Sequence, residues 1–149
     1  MKIPPPVYAI AAVILMWLLD SHYPLLTTVR HWPVVAGGLL ILVGVLIDLL
    51  SIVQFRRAKT TVNPMRPESS SSLVTTGLYA YSRNPMYVGL LVCLTGVVLI
   101  LRSLTPLLIL PLFVIVVTLF QIVPEERALA SIFGDEFEYY KKKVPRWLQ

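Results

Sequence analysis

The residues best suited to chemistry lie in two separate stretches of this 149-residue chain, and the two stretches carry opposite charges. In the first, Arg83 and Asn84 directly precede Pro85, a residue type favoured in the first turn of a helix. Helix N-termini attract anions, and arginine adds a planar pair of donors that fits a carboxylate or phosphate. In the second, Glu125 and Glu126 are adjacent at the predicted start of another helix. Held at one surface, the two stretches are suited to bind a zwitterion such as an amino-acid group.

Three further residues have both a functional and a structural interpretation. Tyr79 and Tyr87 flank Arg83 at intervals of four, which in a helix places all three on one face. Tyrosine and arginine are also common at membrane interfaces, so spacing alone leaves both interpretations open. Asp48 follows Gly44 by four residues inside an apolar stretch and is expected to point into the protein. Such a carboxylate is either a functional group or a partner in a hydrogen bond between helices.

The elements that must position these residues are predicted to be membrane helices. The chain is 56% hydrophobic and 14% charged, against about 25% charged residues in soluble domains. This composition excludes a disordered chain and argues against an ordinary cytosolic globule. A single cysteine excludes a disulfide framework and a multi-cysteine metal site, and we expect no metal. We predict a single domain over residues 1–149, an all-α integral membrane protein with about four transmembrane helices and short cytoplasmic C-terminal helices. The spans are predicted at about 3–22, 32–55, 85–101 and 104–123.

The basic residues predict the orientation of these spans. Of the 13 lysines and arginines, all but Arg30 and Arg102 fall in the N-terminus, the loop 56–84 and the tail 124–149. Because cytoplasmic segments are enriched in lysine and arginine, we expect both termini and that loop to be cytoplasmic. The net charge of +5 is then explained by orientation, and no nucleic-acid partner is expected. A signal peptide is the alternative for the first span, but no small-residue cleavage site follows it.

Two motif blocks, in this order, resemble the isoprenylcysteine carboxyl methyltransferase and phospholipid methyltransferase superfamily over roughly residues 56–149. The first contains LVTTGLY at 73–79 and RNPMYVG at 83–89; the second contains EE at 125–126 and FGDEF at 133–137, followed by Tyr140 and Val144-Pro145. The resemblance implies an integral membrane methyltransferase that uses S-adenosylmethionine. It also implies a cofactor pocket between the last two membrane helices and the C-terminal segments, open to the cytosol, with a lipophilic substrate entering from the bilayer.

Carried over residue by residue, the resemblance implies a set of cofactor contacts and two predicted catalytic residues. Arg83, Gly89 and Glu126 complete the motifs as supports, and Arg83 and Glu126 are the two predicted catalytic residues. The cofactor contacts are Ser72, Leu73, Val74, Tyr79, Asn84, Pro85, Met86, Tyr87 and Glu125.

The sequence departs from the superfamily pattern at two positions. Asn84 stands where histidine is common; asparagine still donates a hydrogen bond but has no titration near neutral pH. Gln121 stands where the prenylcysteine enzymes have an arginine that meets the substrate, which leaves the methyl acceptor open. The acceptor is expected to be a small or lipid-like carboxylate, thiol or amine. An amine must lose a proton, for which Glu126 and Asp48 are the available carboxylates.

Two other functions are consistent with the sequence. Some sterol-type reductases resemble this superfamily in their C-terminal half and use NADPH, although the short chain argues against a dinucleotide pocket. A non-catalytic four-helix membrane subunit is the second alternative. We expect membrane lipids and the acceptor as partners and a bacterial inner membrane as the location; the oligomeric state is left open.

Overall fold

The computed structural model describes residues 3–27, 32–57 and 72–148. Within these ranges the regular structure is helical and no strand is present, which confirms the predicted fold class. Residues 58–71 of the predicted loop 56–84 lie outside the described residues. The elements in chain order are α1 (Pro5–His22), α2 (Trp32–Arg57), a 3₁₀ turn (Gly77–Ala80), α3 (Pro85–Leu101), a second 3₁₀ turn (Thr105–Leu108), α4 (Ile109–Val117), a π-helical turn (Thr118–Ile122), α5 (Val123–Phe133) and α6 (Asp135–Lys143).

The long apolar helices identify a membrane protein. Three of them are long and apolar enough to cross a bilayer: α1, α2 and the continuous run Thr105–Phe133. The fourth, α3, is apolar and has 17 residues, the lower end of the range of about 17–25 that spans the hydrocarbon. Large apolar side chains such as Leu39 and Leu42 face outward, which suits a lipid environment.

Helices α2 and α3 pack closely because glycines face each other along their contact. A Cβ atom built on Gly37 would lie 2.5 Å from the carbonyl oxygen of Gly96. One built on Gly44 would lie 2.5 Å from the carbonyl oxygen of Gly89. Small residues allow membrane helices to approach at backbone distance, which explains this close contact.

The other face of α3 forms the apolar core with α1 and α4. Van der Waals contact and close packing hold this core together, since lipid offers little hydrophobic driving force between helices. The buried residues of the core are Ala12, Met16, Tyr87, Leu94, Val98, Ile109, Phe113, Val117 and Ile122.

Hydrogen bonds close one end of the helix bundle. The Leu25 amide donates to the hydroxyls of Ser103 and Thr105, at 3.2 Å each, and the Leu104 amide donates to the Leu25 carbonyl at 2.9 Å. The turn after α1 is thereby fixed to the α3–α4 connection. The segment 72–84, α5 and α6 all lie at the opposite end.

The fourth span continues past Pro124, where the sequence predicts its exit into a separate short helix. Proline lacks an N–H and its ring clashes with the carbonyl four residues earlier. The π-helical turn that precedes it accommodates this change, because the Val123 amide donates to the carbonyl of Thr118, five residues back. The helical run then extends to Phe133 and ends at Gly134, which has a φ of +49°.

Candidate functional site

The two charged stretches singled out in the sequence meet at one end of the helix bundle. Arg83 Nη1 lies 2.9 Å from Glu126 Oε1. The Tyr87 hydroxyl donates a hydrogen bond to Glu125 Oε1 at 2.8 Å. The start of α3 and the start of α5 therefore form one polar site, as the zwitterion hypothesis requires.

Tyr79 is held in this site by the end of α2. Gly77 opens the 3₁₀ turn with a φ of +62°, a conformation that side chains with a Cβ rarely adopt. The Gln54 side chain fills the space beside this glycine and accepts a hydrogen bond from the Leu78 amide at 3.1 Å. Tyr79 is buried, and the edge of its ring meets Phe55 with ring centroids 4.9 Å apart.

Tyr79 is surrounded by polar groups of the site. The Tyr140 hydroxyl donates to the Tyr79 carbonyl at 2.6 Å. Burial raises the pKa of the Tyr79 phenol; Tyr140, Glu125 and Asp48 raise it further, whereas a hydrogen bond with Ser51 lowers it. The phenol therefore stays neutral and lies near both acidic side chains.

The four-residue spacing of the tyrosines and the arginine does not correspond to one helix. Tyr79 belongs to the 3₁₀ turn, Arg83 lies in the connection that follows, and Tyr87 lies in α3. Pro85 disfavours helical geometry in the residue before it, so the chain bends there and α3 begins. The three side chains still reach one site because the bend brings the turn and the helix together.

Arg83 is largely buried and keeps unused hydrogen-bond donors. Its side chain is 11% exposed. Although Nη1 is close to Glu126, it is not aligned for a hydrogen bond, and both Nη1 and Nε are buried without an acceptor. Burial lowers the pKa of the Arg83 guanidinium; Glu126 opposes this shift, and Arg146 adds to it. These donors are available to an anionic group of a ligand.

Arg146 is a residue of the site that the sequence analysis missed. Its Nε and Nη2 donate to Glu126 Oε1 and Oε2 at 3.1 and 2.7 Å, a two-pronged ion pair. This hydrogen bonding raises the pKa of Arg146. The one available signal was an arginine between a proline and Trp147 in the tail, but the pairing across 20 positions is tertiary and no local spacing reveals it.

The residues after α6, 144–148, form a C-terminal strap across the start of α3. The Arg83 amide donates to the Pro145 carbonyl at 3.0 Å. The Asn84 side-chain amide, predicted to contact the cofactor, donates to the Arg146 carbonyl at 2.9 Å. The indole N–H of Trp147 donates to Thr118 in the π-helical turn at 3.2 Å.

The remaining predicted cofactor residues border the site on two sides. Leu73 packs against the buried cluster of Phe137, Tyr140 and Val144, which holds the tail on the protein. Ser72 and Val74 adjoin it in the segment before the 3₁₀ turn, with Val74 buried. Pro85 and Met86 form the first turn of α3.

Asp48 faces the interior, as predicted, and lies against Gly89. A Cβ built on Gly89 would lie 2.1 Å from Asp48 Oδ1, so only glycine leaves space for this carboxylate. Oδ1 itself is buried and has no hydrogen-bond partner.

Gln121 is 2% exposed, and its amide donates to the Ile3 carbonyl, so it holds the N-terminal segment.

The arrangement is suited to bind a ligand that carries both charge signs. Two guanidinium groups share the Glu126 carboxylate, which leaves one positive charge without a counter-charge within this ion-pair cluster. Glu125 supplies negative charge nearby, and the Asp48 carboxyl group lies close to Tyr79. Among the described residues, no three histidine, cysteine, aspartate or glutamate side chains gather as metal ligands.

Comparisons with known proteins identify a family and several relatives of this chain. Residues 32–136 match the family model of phospholipid methyltransferases. The protein-S-isoprenylcysteine O-methyltransferase of Schizosaccharomyces pombe is 43% identical over 76 residues, which cover 49% of this chain and 31% of the relative. Protein-S-isoprenylcysteine O-methyltransferase B of Arabidopsis thaliana is 30% identical over 119 residues, 78% of this chain and 59% of the relative. An uncharacterized Haemophilus influenzae protein is 44% identical over 63 residues, which are its whole length and 42% of this chain. The chain thus spans less than two thirds of the two named enzymes.

Proposed function

The chain belongs to the phospholipid methyltransferase family, and from this premise we propose that it transfers a methyl group from S-adenosylmethionine to a lipid-like acceptor at the membrane surface. One observation carries the proposal: Arg83 contacts Glu126, and Tyr87 bonds Glu125, in a single buried site. This geometry joins the two motif blocks into one polar site beside the membrane helices.

The charged groups of the site fit the amino-acid part of S-adenosylmethionine. Arg83 has buried donors for its carboxylate. Glu125 accepts from Tyr87 and, as a carboxylate with several acceptor positions, can also accept from the ammonium group. The ring faces of Tyr79 and Tyr87 are suited to a sulfonium cation. The proposed cofactor-binding set is Ser72, Leu73, Val74, Tyr79, Asn84, Pro85, Met86, Tyr87 and Glu125, to which the buried donors add Arg83 as a ligand of the carboxylate.

Binding and alignment are the proposed catalytic contributions of the protein. The cofactor supplies an activated methyl group, so holding the two reactants in line provides much of the acceleration. Glu126 is engaged by Arg83 and Arg146, and its proposed role is to hold them instead of accepting a proton. Asp48 Oδ1 remains the unpartnered carboxylate oxygen for an acceptor that must lose one.

A carboxylate oxygen of a lipid-like molecule is the proposed methyl acceptor. The named relatives are O-methyltransferases of isoprenylcysteine, and an ionised carboxylate attacks without a general base. Since Gln121 is bonded to Ile3, the protein would not use that position to bind the acceptor's charge. Transfer of a labelled methyl group to prenylcysteine analogues, lipid extracts, thiols and amines, read by mass spectrometry, distinguishes the acceptor classes.

We further propose that the site faces the cytoplasm, with both termini on that side of a bacterial inner membrane. Arg56 and Arg57 end α2, and Lys141–Lys143 end α6, all at the site end of the bundle. This charge distribution follows the positive-inside rule. The Haemophilus influenzae relative supports a bacterial membrane.

Calorimetric titration of the detergent-purified protein tests the function. We expect S-adenosylmethionine to bind, and Glu125→Ala to weaken binding at least tenfold, about 1.4 kcal/mol. Glu136→Ala is the matched control, because Glu136 is exposed in α6. A folded sample that binds no S-adenosylmethionine would reject the proposal, and binding of NADPH instead would favour the reductase alternative.

A further inference from the structure

Arg83 and Arg146 both contact Glu126, but with different geometry, in the ion-pair cluster that these three residues form. Arg146 makes two aligned hydrogen bonds to Glu126, one to each carboxylate oxygen. Arg83 approaches one of the same oxygens at 2.9 Å without an aligned hydrogen bond from that nitrogen. Arg146 is therefore the stronger partner of Glu126, and Arg83 keeps donors that nothing in the described protein satisfies.

We propose that Arg146 is a positioning residue: by occupying Glu126, it keeps the Arg83 guanidinium open to bind the carboxylate of the cofactor. The inference rests on the proposed function. It assigns a role to the C-terminal strap, which supplies Arg146 and whose carbonyls also fix the backbone of Arg83 and the side chain of Asn84.

Charge and burial both support this arrangement. A carboxylate that faced Arg83 alone would pair with it fully, because Arg–carboxylate pairs are commonly bidentate. With Arg146 present, two positive charges share one negative charge in a largely buried place. One additional anion balances that cluster, and it would give acceptors to the buried Arg83 donors, which are costly while they lack them.

The strap is anchored where this role requires it. Trp147, the next residue, packs on the main apolar core and bonds Thr118 of the π-helical turn. The Arg146 carbonyl accepts from Asn84 and from the Ser82 hydroxyl. The backbone of Arg146 is thus fixed on both sides, so its guanidinium reaches Glu126 from a defined position.

The test compares S-adenosylmethionine with its decarboxylated form, which lacks only the carboxylate, by calorimetry on the full chain in detergent. We expect the wild-type protein to prefer the carboxylate-bearing compound at least tenfold in Kd. Arg146→Ala should lose most of that preference while its Kd for the decarboxylated compound stays within about twofold. Arg127→Ala is the matched control, since Arg127 is the exposed neighbour of Glu126.

A conservative variant keeps the test valid if Arg146→Ala does not fold. Arg146→Lys retains the charge but not the two-pronged geometry, so its preference should lie between those of wild type and alanine. The inference is overturned if both variants keep the preference of the wild type. It is also overturned if binding of both compounds weakens equally, because equal weakening indicates a merely structural role. A lipid phosphate at Arg83 would leave the wild type without preference, which also overturns it. Binding of neither compound by the wild type would instead reject the proposed function.

Discussion

The Tyr140 hydroxyl links the C-terminal region to the segment that carries Tyr79, through a single buried hydrogen bond of 2.6 Å. Burial raises the pKa of Tyr140, with Arg83 acting in the opposite direction, so the phenol keeps its proton and remains a donor. Tyr140→Phe keeps the ring in its apolar cluster and leaves the Tyr79 carbonyl without this donor. We expect a loss of about 1–3 kcal/mol in unfolding free energy, measured as a lower thermal midpoint in detergent.

Tyr139 provides the matched control for this substitution. It is the preceding residue in α6 and is 60% exposed, so its hydroxyl is not part of the buried network. Tyr139→Phe should change stability by less than about 0.5 kcal/mol. Equal effects of the two substitutions would show that the hydroxyl bond to Tyr79 does not stabilise the protein.

At the scale of single residues, the sequence predicted which side chains carry the charges of the site, but not which residues these side chains contact. The opposite charges of Arg83 and of the two glutamates are visible in the sequence, and the structure brings them together. The contact of Asn84 with the Arg146 carbonyl depends on how the strap returns over α3, across 62 positions. Contacts of that range depend on the complete fold, so the sequence could not distinguish a ligand contact from an internal one.

Among the helices, the contact between α2 and α3 has the least room for change. A Cβ on Gly37 would lie 2.5 Å from the carbonyl oxygen of Gly96 and 2.8 Å from a side-chain atom of Ile100. The backbone oxygen cannot rotate away, so Gly37→Ala forces the two helices apart. We expect a loss of about 1–3 kcal/mol, as for other overpacking substitutions, measured by thermal unfolding in detergent.

Substitution of the neighbouring Gly38 distinguishes an effect on helix packing from an effect on helix propensity. A Cβ on Gly38 would meet no atom within 4 Å, and the residue is exposed in the same helix. Gly38→Ala is expected to be neutral or stabilising by up to about 1 kcal/mol, because alanine favours helix over glycine. If both substitutions destabilise the protein alike, close approach of α2 and α3 is not what Gly37 provides.

The helices themselves were more predictable than their ends. Apolar length predicted four helices, of which the structure shows three long enough to span a membrane and a shorter fourth, α3. The four-residue spacing around Arg83 favoured a helix that the chain does not form, because Pro85 starts α3 and restricts the residue before it. The π-helical turn before Pro124 was also unpredicted, since proline more often ends a helix than follows a widened turn.

On the scale of the whole molecule, every part of the site lies at one end of the helix bundle. The N-terminal residue Ile3 bonds Gln121 at that end, whereas Leu25 and Ser103 close the other. The four proposed spans would return the chain to the side on which it began. Labelling one residue at each end of the bundle therefore tests whether the site faces the cytoplasm.

The orientation is measured with single cysteines in a Cys93→Ala background. Tyr81 and Leu26 are 73% and 80% exposed and lie at opposite ends of the bundle. With a membrane-impermeant maleimide, Tyr81→Cys should react in inside-out vesicles and Leu26→Cys in right-side-out vesicles, because the basic segments favour the cytoplasmic side. The reverse pattern would place the site outside the cytoplasm. Reaction of both cysteines on one side would contradict the arrangement of spans itself.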